Sequence, residues 1–294
     1  MLKLRGCGTA LVTPFLADGS IDEKALRALV DWQIASGIDF LVPCGTTGET
    51  PTLSHDEWLR VIEITIEVSA GRVPIVAGAT SNSTHDAVHK VAEVAKIRGV
   101  DAVLSASPYY NKPTQEGQYQ HFQAIAEAVD KPVVLYNVPG RTGVNLEPDT
   151  LERLSRLPNI AGVKEASGRI TQIAEICAQL PGFTVLSGDD AMILPVVSVG
   201  GVGVISVASN AFPKEMAELT RAALDNDWTK ARTLYQKYLA LMQTLFIESN
   251  PMPVKAVMAM MGRIEENYRL PMCRMQPNLR AKLEAVARAA GVVR

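Results

Sequence analysis

The sequence predicts an α/β fold, a (β/α)8 or TIM barrel carrying a C-terminal helical appendage, and three observations lead there. Eight short apolar runs begin near residues 8, 40, 74, 102, 132, 160, 184 and 203, and a recurrence of about 20 to 34 residues is the period of β-α units. Eight units within about 225 residues favour a closed barrel over an open doubly wound sheet. Neither G-x-G-x-x-G after the first run nor G-x-x-x-x-G-K-[ST] anywhere occurs, so the nucleotide-binding alternatives lack their fingerprint. The expected division is residues 1–225 for the barrel and 226–294 for the helical part.

Taken in order, G-T-A-L-V from Gly8 is a strand, and after the turn Asp18-Gly19-Ser20 the apolar residues Ala25, Leu26, Leu29, Val30 and Ile34 recur at helical spacing. Phe40 to Pro43 is the second strand, ending in the polar loop C-G-T-T-G-E; Ser54 then caps a helix. Pro74 opens the third strand, where a missing N–H is tolerated, and its helix begins at Thr84. The fourth strand runs into P-Y-Y-N-K-P, and the fifth, P-V-V-L-Y, ends in N-V-P-G-R-T. The sixth holds Lys164; the seventh is followed by G-D-D and the eighth by A-S-N. From about Asn226 the pattern is helical only, with Trp228, Ala231, Leu234, Tyr235 and Tyr238 on one face, a break at E-S-N-P-M-P, and two further helices beginning near Val254 and Pro277.

Composition removes several functions. Lys plus Arg number 29 against 31 Asp plus Glu, a formal charge of -2, and no run of like charge occurs; nucleic acid or an anionic membrane is therefore not the expected partner. No apolar run approaches the ~20 residues that span a bilayer and the start has no signal-peptide core, so a cytoplasmic protein is expected. Cys7, Cys44, Cys177 and Cys273 lie far apart without a C-x-x-C pair, which suits reduced thiols and suggests no zinc. The pair His85 and His89 in H-D-A-V-H lacks the glutamate of the zinc-protease motif and reads as a surface pair.

Chemistry gathers at the strand ends, where barrels keep their active sites. Lys164 lies inside a run, A-G-V-K-E-A-S-G, that otherwise reads as a buried strand. A buried lysine either pairs with a carboxylate or loses its proton and becomes a nucleophile toward carbonyls. Glu165 is a poor partner, because strand alternation sends it to the opposite face. Thr46 and Thr47 follow the second strand, Tyr109 and Tyr110 the fourth, and Tyr136 ends the fifth with Arg141 beyond it. Each has a bland alternative in packing, turn capping or solvation. Their convergence instead suits carbonyl chemistry, with hydroxyls to relay protons and a guanidinium to hold a carboxylate. Where barrels often bind phosphate, Gly188-Asp189-Asp190 places charges expected to repel it.

G-T-T-G-E, P-Y-Y-N-K-P, Y-N-V-P-G-R-T, G-V-K-E-A-S-G and E-S-N-P stand in one order across nearly the whole chain. On these motifs the chain resembles the dihydrodipicolinate synthase (4-hydroxy-tetrahydrodipicolinate synthase) family of the pyruvate-dependent class I aldolases. The resemblance implies that Lys164 forms a Schiff base with pyruvate, with Thr46 and Thr47 against its carboxylate. Tyr136 would move protons, relayed through Thr46 to Tyr110, which reaches in from a neighbouring subunit. Arg141 would hold L-aspartate 4-semialdehyde, while Gly188, Ile205 and Asn250 match positions that line or support the site. It further implies a homotetramer, no metal or nucleotide cofactor, and the first step of the diaminopimelate route to lysine. Two rivals remain open: a related lyase with another aldehyde acceptor, and a non-catalytic barrel used as a binding or regulatory module.

The same resemblance implies a feedback site for lysine at a subunit interface. His55, Asn82 and Tyr109 fit it, but Trp58 replaces a histidine and Asp86 replaces a glutamate. Asp86 is one methylene shorter and would fall about 1.5 Å short of an ammonium, more than a charge-assisted hydrogen bond tolerates. Weak or absent inhibition is the expectation.

Overall fold

The structure, a computed structural model, describes residues 4–294. Among these, eight strands form one parallel sheet: β1 Gly6–Ala10, β2 Phe40–Val42, β3 Val76–Gly78, β4 Ala102–Ala106, β5 Val133–Asn137, β6 Ile160–Glu165, β7 Thr184–Ser187 and β8 Gly203–Ser206. Their spatial order, β2-β1-β8-β7-β6-β5-β4-β3, is the chain order read around a ring. The first strand pairs with the last, Gly6 opposite Gly203 and Thr9 opposite Ser206. The remaining seam, between β2 and β3, is joined by a single parallel bridge, Leu41 to Ile75, flanked by Leu41 N–H donating to Pro74 O at 3.0 Å and Gly78 N–H to Pro43 O at 2.9 Å.

Helices fill the intervals: α1 Glu23–Ala35, α2 His55–Ser69, α3 Thr84–Ala95, α4 Gln115–Glu127, α5 Pro139–Thr142, α6 Pro148–Ser155, α7 Ile170–Gln179, α8 Ile193–Ser198 and α9 Pro213–Leu224. The cap expected at Ser54 is a full capping box, in which Ser54 accepts from the Glu57 N–H while the Glu57 carboxylate accepts from the Ser54 N–H. P-G-R-T, read as loop, forms the single turn α5, with Pro139 supplying a pre-set φ at its first position. Then come α10 Trp228–Thr244, α11 Met252–Met260 and α12 Pro277–Ala289. On α10 the predicted face is buried at Ala231 and Tyr238 and half-buried at Trp228, Leu234 and Tyr235.

Two cores follow from strand alternation. One set, including Ala10, Phe40, Val42, Val76, Leu104 and Ile205, packs inside the barrel; the other, larger set lies between sheet and helices. At the N-terminal end Phe40 fills the lumen so closely that a Cβ on Gly8 would sit 2.1 Å from its ring. The first strand begins two residues earlier than the sequence suggested, because Gly6 and Cys7 already pair with Gly203 and Val204. The third begins two residues later: Pro74 contributes its carbonyl to the seam, and the ladder with β4 starts at Val76.

Candidate active site

Alternation on β6 decides the fate of its two ionisable groups. Val163 and Glu165 face the helices, where the Glu165 carboxylate accepts from Asn137 Nδ2 at 3.0 Å and from the Ser167 N–H at 2.7 Å. Lys164 faces the lumen with only 5% of its surface exposed, its Nζ 4.3 Å from the centroid of the Tyr136 ring. Among the described residues no carboxylate lies within ion-pair distance of it. Burial therefore pulls its pKa down to about 8, the nearby Asp190 charge opposing and the Arg141 guanidinium assisting. At pH 8 about half of these amines are uncharged and nucleophilic.

Tyr136 pairs with Lys164 across the β5-β6 register. Burial pushes its phenol up to about 12, against the Arg141 charge and the Thr46 side chain, which lower it. At neutral pH it is therefore protonated, able to donate a proton but not a standing base. Thr46 and Thr47 open a one-turn 3-10 helix, Thr46–Gly48, directly after β2. The turn is pinned on several sides: Thr13 Oγ1 donates to Gly48 O at 2.7 Å, Thr50 Oγ1 to Gly45 O at 2.9 Å, and Asn250 Nδ2 to Thr47 Oγ1 at 3.0 Å. Glu49 closes it in the left-handed region at φ 54°, a strained position that only the surrounding contacts can hold.

A cavity of about 380 Å³ lies beside these groups, lined by Tyr136, Arg141, Ala166, Gly188, Phe246 and Ser249 among others. Arg141, on α5, is exposed and donates from Nη2 to Asn250 O at 3.2 Å. Gly188 is a steric requirement: a Cβ there would stand 3.1 Å from Lys164 Cε and 2.8 Å from Ala166 Cβ. Ile205 is buried in the lumen, and Asn250 is buried with its Oδ1 unpartnered.

Asp190 corrects the sequence reading of Gly188-Asp189-Asp190 as a pair of repelling charges. Only Asp189 lines the cavity. Asp190 is buried, its Oδ2 accepting from the N–H groups of Val207 and Ala208 at 3.0 and 2.9 Å, and burial raises its pKa to about 6. Sequence reasoning also missed Phe246 and Ser249 on the wall and the partner of Glu49. Lys255 Nζ lies 2.6 Å from Glu49 Oε1, both groups essentially inaccessible. Nothing in local sequence joins residues 206 positions apart; the only signal was an invitingly placed lysine two residues after a proline.

Tyr110 stands apart from the other expected catalytic groups. It is 85% exposed at φ 75°, with its neighbour Tyr109 also exposed. The residues expected to bind lysine lie on the outer surface: His55 Nε2 is 3.0 Å from Glu93 Oε1, Asp86 Oδ1 3.2 Å from His85 Nδ1, and the Asn82 carbonyl accepts from Asn111 Nδ2. Trp58 is not among them; it is turned into the core, its indole N–H donating to Gly78 O at 3.0 Å. His85 and His89 form an exposed contact at 3.1 Å between their Nε2 atoms. Among the described residues no three metal-ligating side chains gather, and no helix is long and apolar enough to cross a membrane. Cys7 and Cys44 are buried, Cys177 partly so, and Cys273 is exposed.

An amine kept partly uncharged by burial, beside Tyr136 at the C-terminal ends of barrel strands, is the arrangement expected of the class of barrels that work through a lysine imine. Within that class the particular family is fixed by comparison: the chain belongs to the dihydrodipicolinate synthetase family, whose sequence profile matches residues 3–290. It is 71% identical to a 4-hydroxy-tetrahydrodipicolinate synthase of Koribacter versatilis, covering 100% of this chain and 98% of that one. The Acidobacterium capsulatum 4-hydroxy-tetrahydrodipicolinate synthase is 60% identical, over 99% of this chain and 97% of that one. Among solved structures, the chloride-inhibited dihydrodipicolinate synthase of Acinetobacter baumannii complexed with pyruvate superimposes with a TM-score of 0.97 at 44% identity, covering 99% of this chain and 100% of that one.

Proposed function

We propose that this protein condenses pyruvate with L-aspartate 4-semialdehyde to give 4-hydroxy-tetrahydrodipicolinate, a lyase-class aldol reaction at the head of the diaminopimelate route to lysine. The observation that carries it is the buried, unpaired Lys164 facing Tyr136 at 4.3 Å. Neutral Lys164 attacks the ketone of pyruvate, and loss of water gives an iminium. Loss of a methyl proton then gives an enamine, because the iminium nitrogen is the electron sink; no metal or nucleotide is needed for that step. Tyr136 passes protons to and from these species, with Thr46 as its relay.

The enamine carbon attacks the aldehyde of the second substrate, which takes up a proton to become the ring hydroxyl. The substrate's own amine then attacks the iminium carbon and displaces Lys164, closing the ring and restoring the enzyme. Thr47, with Thr46, faces the pyruvate carboxylate, and Arg141 at the cavity wall holds the carboxylate of the semialdehyde. Gly188 keeps space for the lysine chain, and Ile205 and Asn250 support the floor and the threonine turn. Tyr110, so exposed on the single chain, completes the relay of a neighbouring subunit in a homotetramer in the cytoplasm. His55, Asn82, Asp86 and Tyr109 form a remnant of a lysine-binding site.

The deciding experiment reduces the protein with borohydride in the presence of pyruvate, then offers pyruvate with several aldehydes in a coupled assay. One pyruvyl adduct on Lys164 and preference for L-aspartate 4-semialdehyde are expected. An adduct on a different lysine would overturn the mechanism, and a better acceptor would move the protein to the neighbouring lyases. Mixing inactive Tyr110→Phe and Lys164→Ala subunits should restore some activity by assembling sound sites from two halves; persistent inactivity in mixed oligomers would confine each site to one chain.

A further inference from the structure

The threonine turn ends at Glu49, and Glu49 does not contact the cavity. Its carboxylate instead meets the C-terminal part of the chain: Lys255 Nζ, on α11, is 2.6 Å from Oε1, and the N–H of Arg269, in the connection between α11 and α12, donates to Oε2 at 3.4 Å. The same ammonium donates to Thr13 O at 3.0 Å, and Thr13 Oγ1 in turn holds Gly48 O. Phe15 closes over it with its ring centroid 4.4 Å from Nζ. Five residues before Lys255, Asn250 reaches Thr47 Oγ1. One short C-terminal segment therefore grips both ends of the turn, a threonine hydroxyl at its start and the terminal glutamate at its end.

Two fully buried charges are an uneconomical way to stabilise a fold, since apolar residues of similar size commonly do as well or better. What an ion pair adds is direction and a fixed contact distance. We propose that the Glu49–Lys255 pair is a positioning element through which the C-terminal helices set the height of Thr46 and Thr47 above Lys164, and so the affinity for the pyruvate carboxylate. This rests on the reading of the two threonines as pyruvate-binding groups. A displacement of the turn by about 1 Å costs up to roughly 100-fold where geometry controls reactivity.

The test is the double variant Glu49→Leu with Lys255→Met, which removes both charges together and leaves neither stranded. Borohydride trapping of the Lys164 adduct is followed as pyruvate is titrated, alongside the thermal midpoint. A positioning role gives an unchanged or higher midpoint, one adduct per chain at saturation, and a half-saturating pyruvate concentration raised roughly ten-fold or more. An unchanged half-saturation in the folded double variant overturns the proposal. If the double variant does not fold, Glu49→Gln, which keeps size and one acceptor oxygen, is read in the same way: a raised half-saturation supports the proposal and an unchanged one overturns it. Failure of the unsubstituted protein to form any adduct would instead overturn the functional reading beneath it.

Discussion

Two lysines of this protein are withdrawn from water almost equally, and they do opposite things. Lys255 is 0% exposed and Lys164 5%. The first is held between a carboxylate, a backbone carbonyl and an aromatic ring; the second has the Tyr136 ring beside it and no hydrogen-bonded carboxylate, with Asp190 and Arg141 acting on it only through their charges. Burial depresses both pKa values, but at Lys255 the Glu49 charge and hydrogen bond work against it. Burial alone does not make a nucleophile. The lack of a carboxylate within ion-pair distance leaves the Lys164 amine able to lose its proton, and strand alternation contributes by sending Glu165 outward to Asn137.

The sharpest way to break this comparison is to exchange each lysine for methionine. Lys164→Met should abolish turnover and the pyruvyl adduct, whereas Lys255→Met should still give an adduct on Lys164; an adduct that follows Lys255 would invert the assignment. The same variants separate cost from function. Lys164 has a folded pKa of about 8 against 10.5 unfolded, so below pH 8 the fold carries the full cost of burying the ammonium. That cost, about 3 kcal/mol from the shift, fades between pH 8 and 10.5. Lys164→Met should therefore unfold at higher temperature than the parent at pH 7, with the gap closing toward pH 10.5; equal midpoints at pH 7 would mean the ammonium is better solvated than its burial implies.

Tyr136→Phe should lower kcat by roughly 100-fold, the usual worth of one positioned proton-transfer group, while leaving the ring beside Lys164. A near-normal rate would reduce Tyr136 to packing. Arg141→Ala comes next, with an expected rise of about ten-fold or more in the half-saturating concentration of the semialdehyde from the lost charge-assisted contact, and with borohydride labelling by pyruvate preserved. Loss of labelling would move Arg141 into the first half of the reaction.

A smaller effect concerns a different buried base. His121 is buried on α4 with Nδ1 2.9 Å from Thr84 Oγ1 and Nε2 unpartnered, and burial lowers its pKa to about 4. The unfolded chain binds this proton first, so the stability is complete above pH 6.5 and is lost as pH falls toward 4. Urea midpoints at pH 7 and 4.5 should fall less in His121→Phe than in the parent; an equal fall would place the acid sensitivity elsewhere. Smallest of all, lysine should inhibit weakly or not at all at millimolar concentration, since Asp86 is short and engaged with His85. Full inhibition well below a millimolar would show that the remaining groups rebuild a pocket.

Period and residue type made much of this legible in the sequence. Every strand start was readable to within two residues because each β-α unit repeats the same apolar pattern, and Lys164 announced itself as a charge in an apolar run. What stayed hidden depended on contacts between distant segments. Asp190 looked like a surface charge until Val207 and Ala208 were seen to donate to it. Trp58 read as a replacement within the lysine-site pattern, but nothing local in sequence showed that it is turned into the core with its N–H on Gly78 O. Glu49 belonged to a motif, yet its partner lies on a helix that only tertiary packing brings near.

The pairing of β1 with β8 has a consequence for how the chain is made. The Thr9 and Ser209 hydroxyls are hydrogen-bonded to each other, 200 residues apart in sequence, and the neighbouring backbone pairs span a similar distance. At a synthesis rate of ~5–20 residues per second, the first strand waits roughly 10–40 s for its partner to be made. Throughout that interval a fully buried strand, Gly6–Ala10, has one edge unpaired, and such an edge is a template for another nascent chain on the same message. Stalled chains ending before β8 should be held by chaperones or associate through residues 6–10, and the hold should release once residues 203–210 have left the exit tunnel.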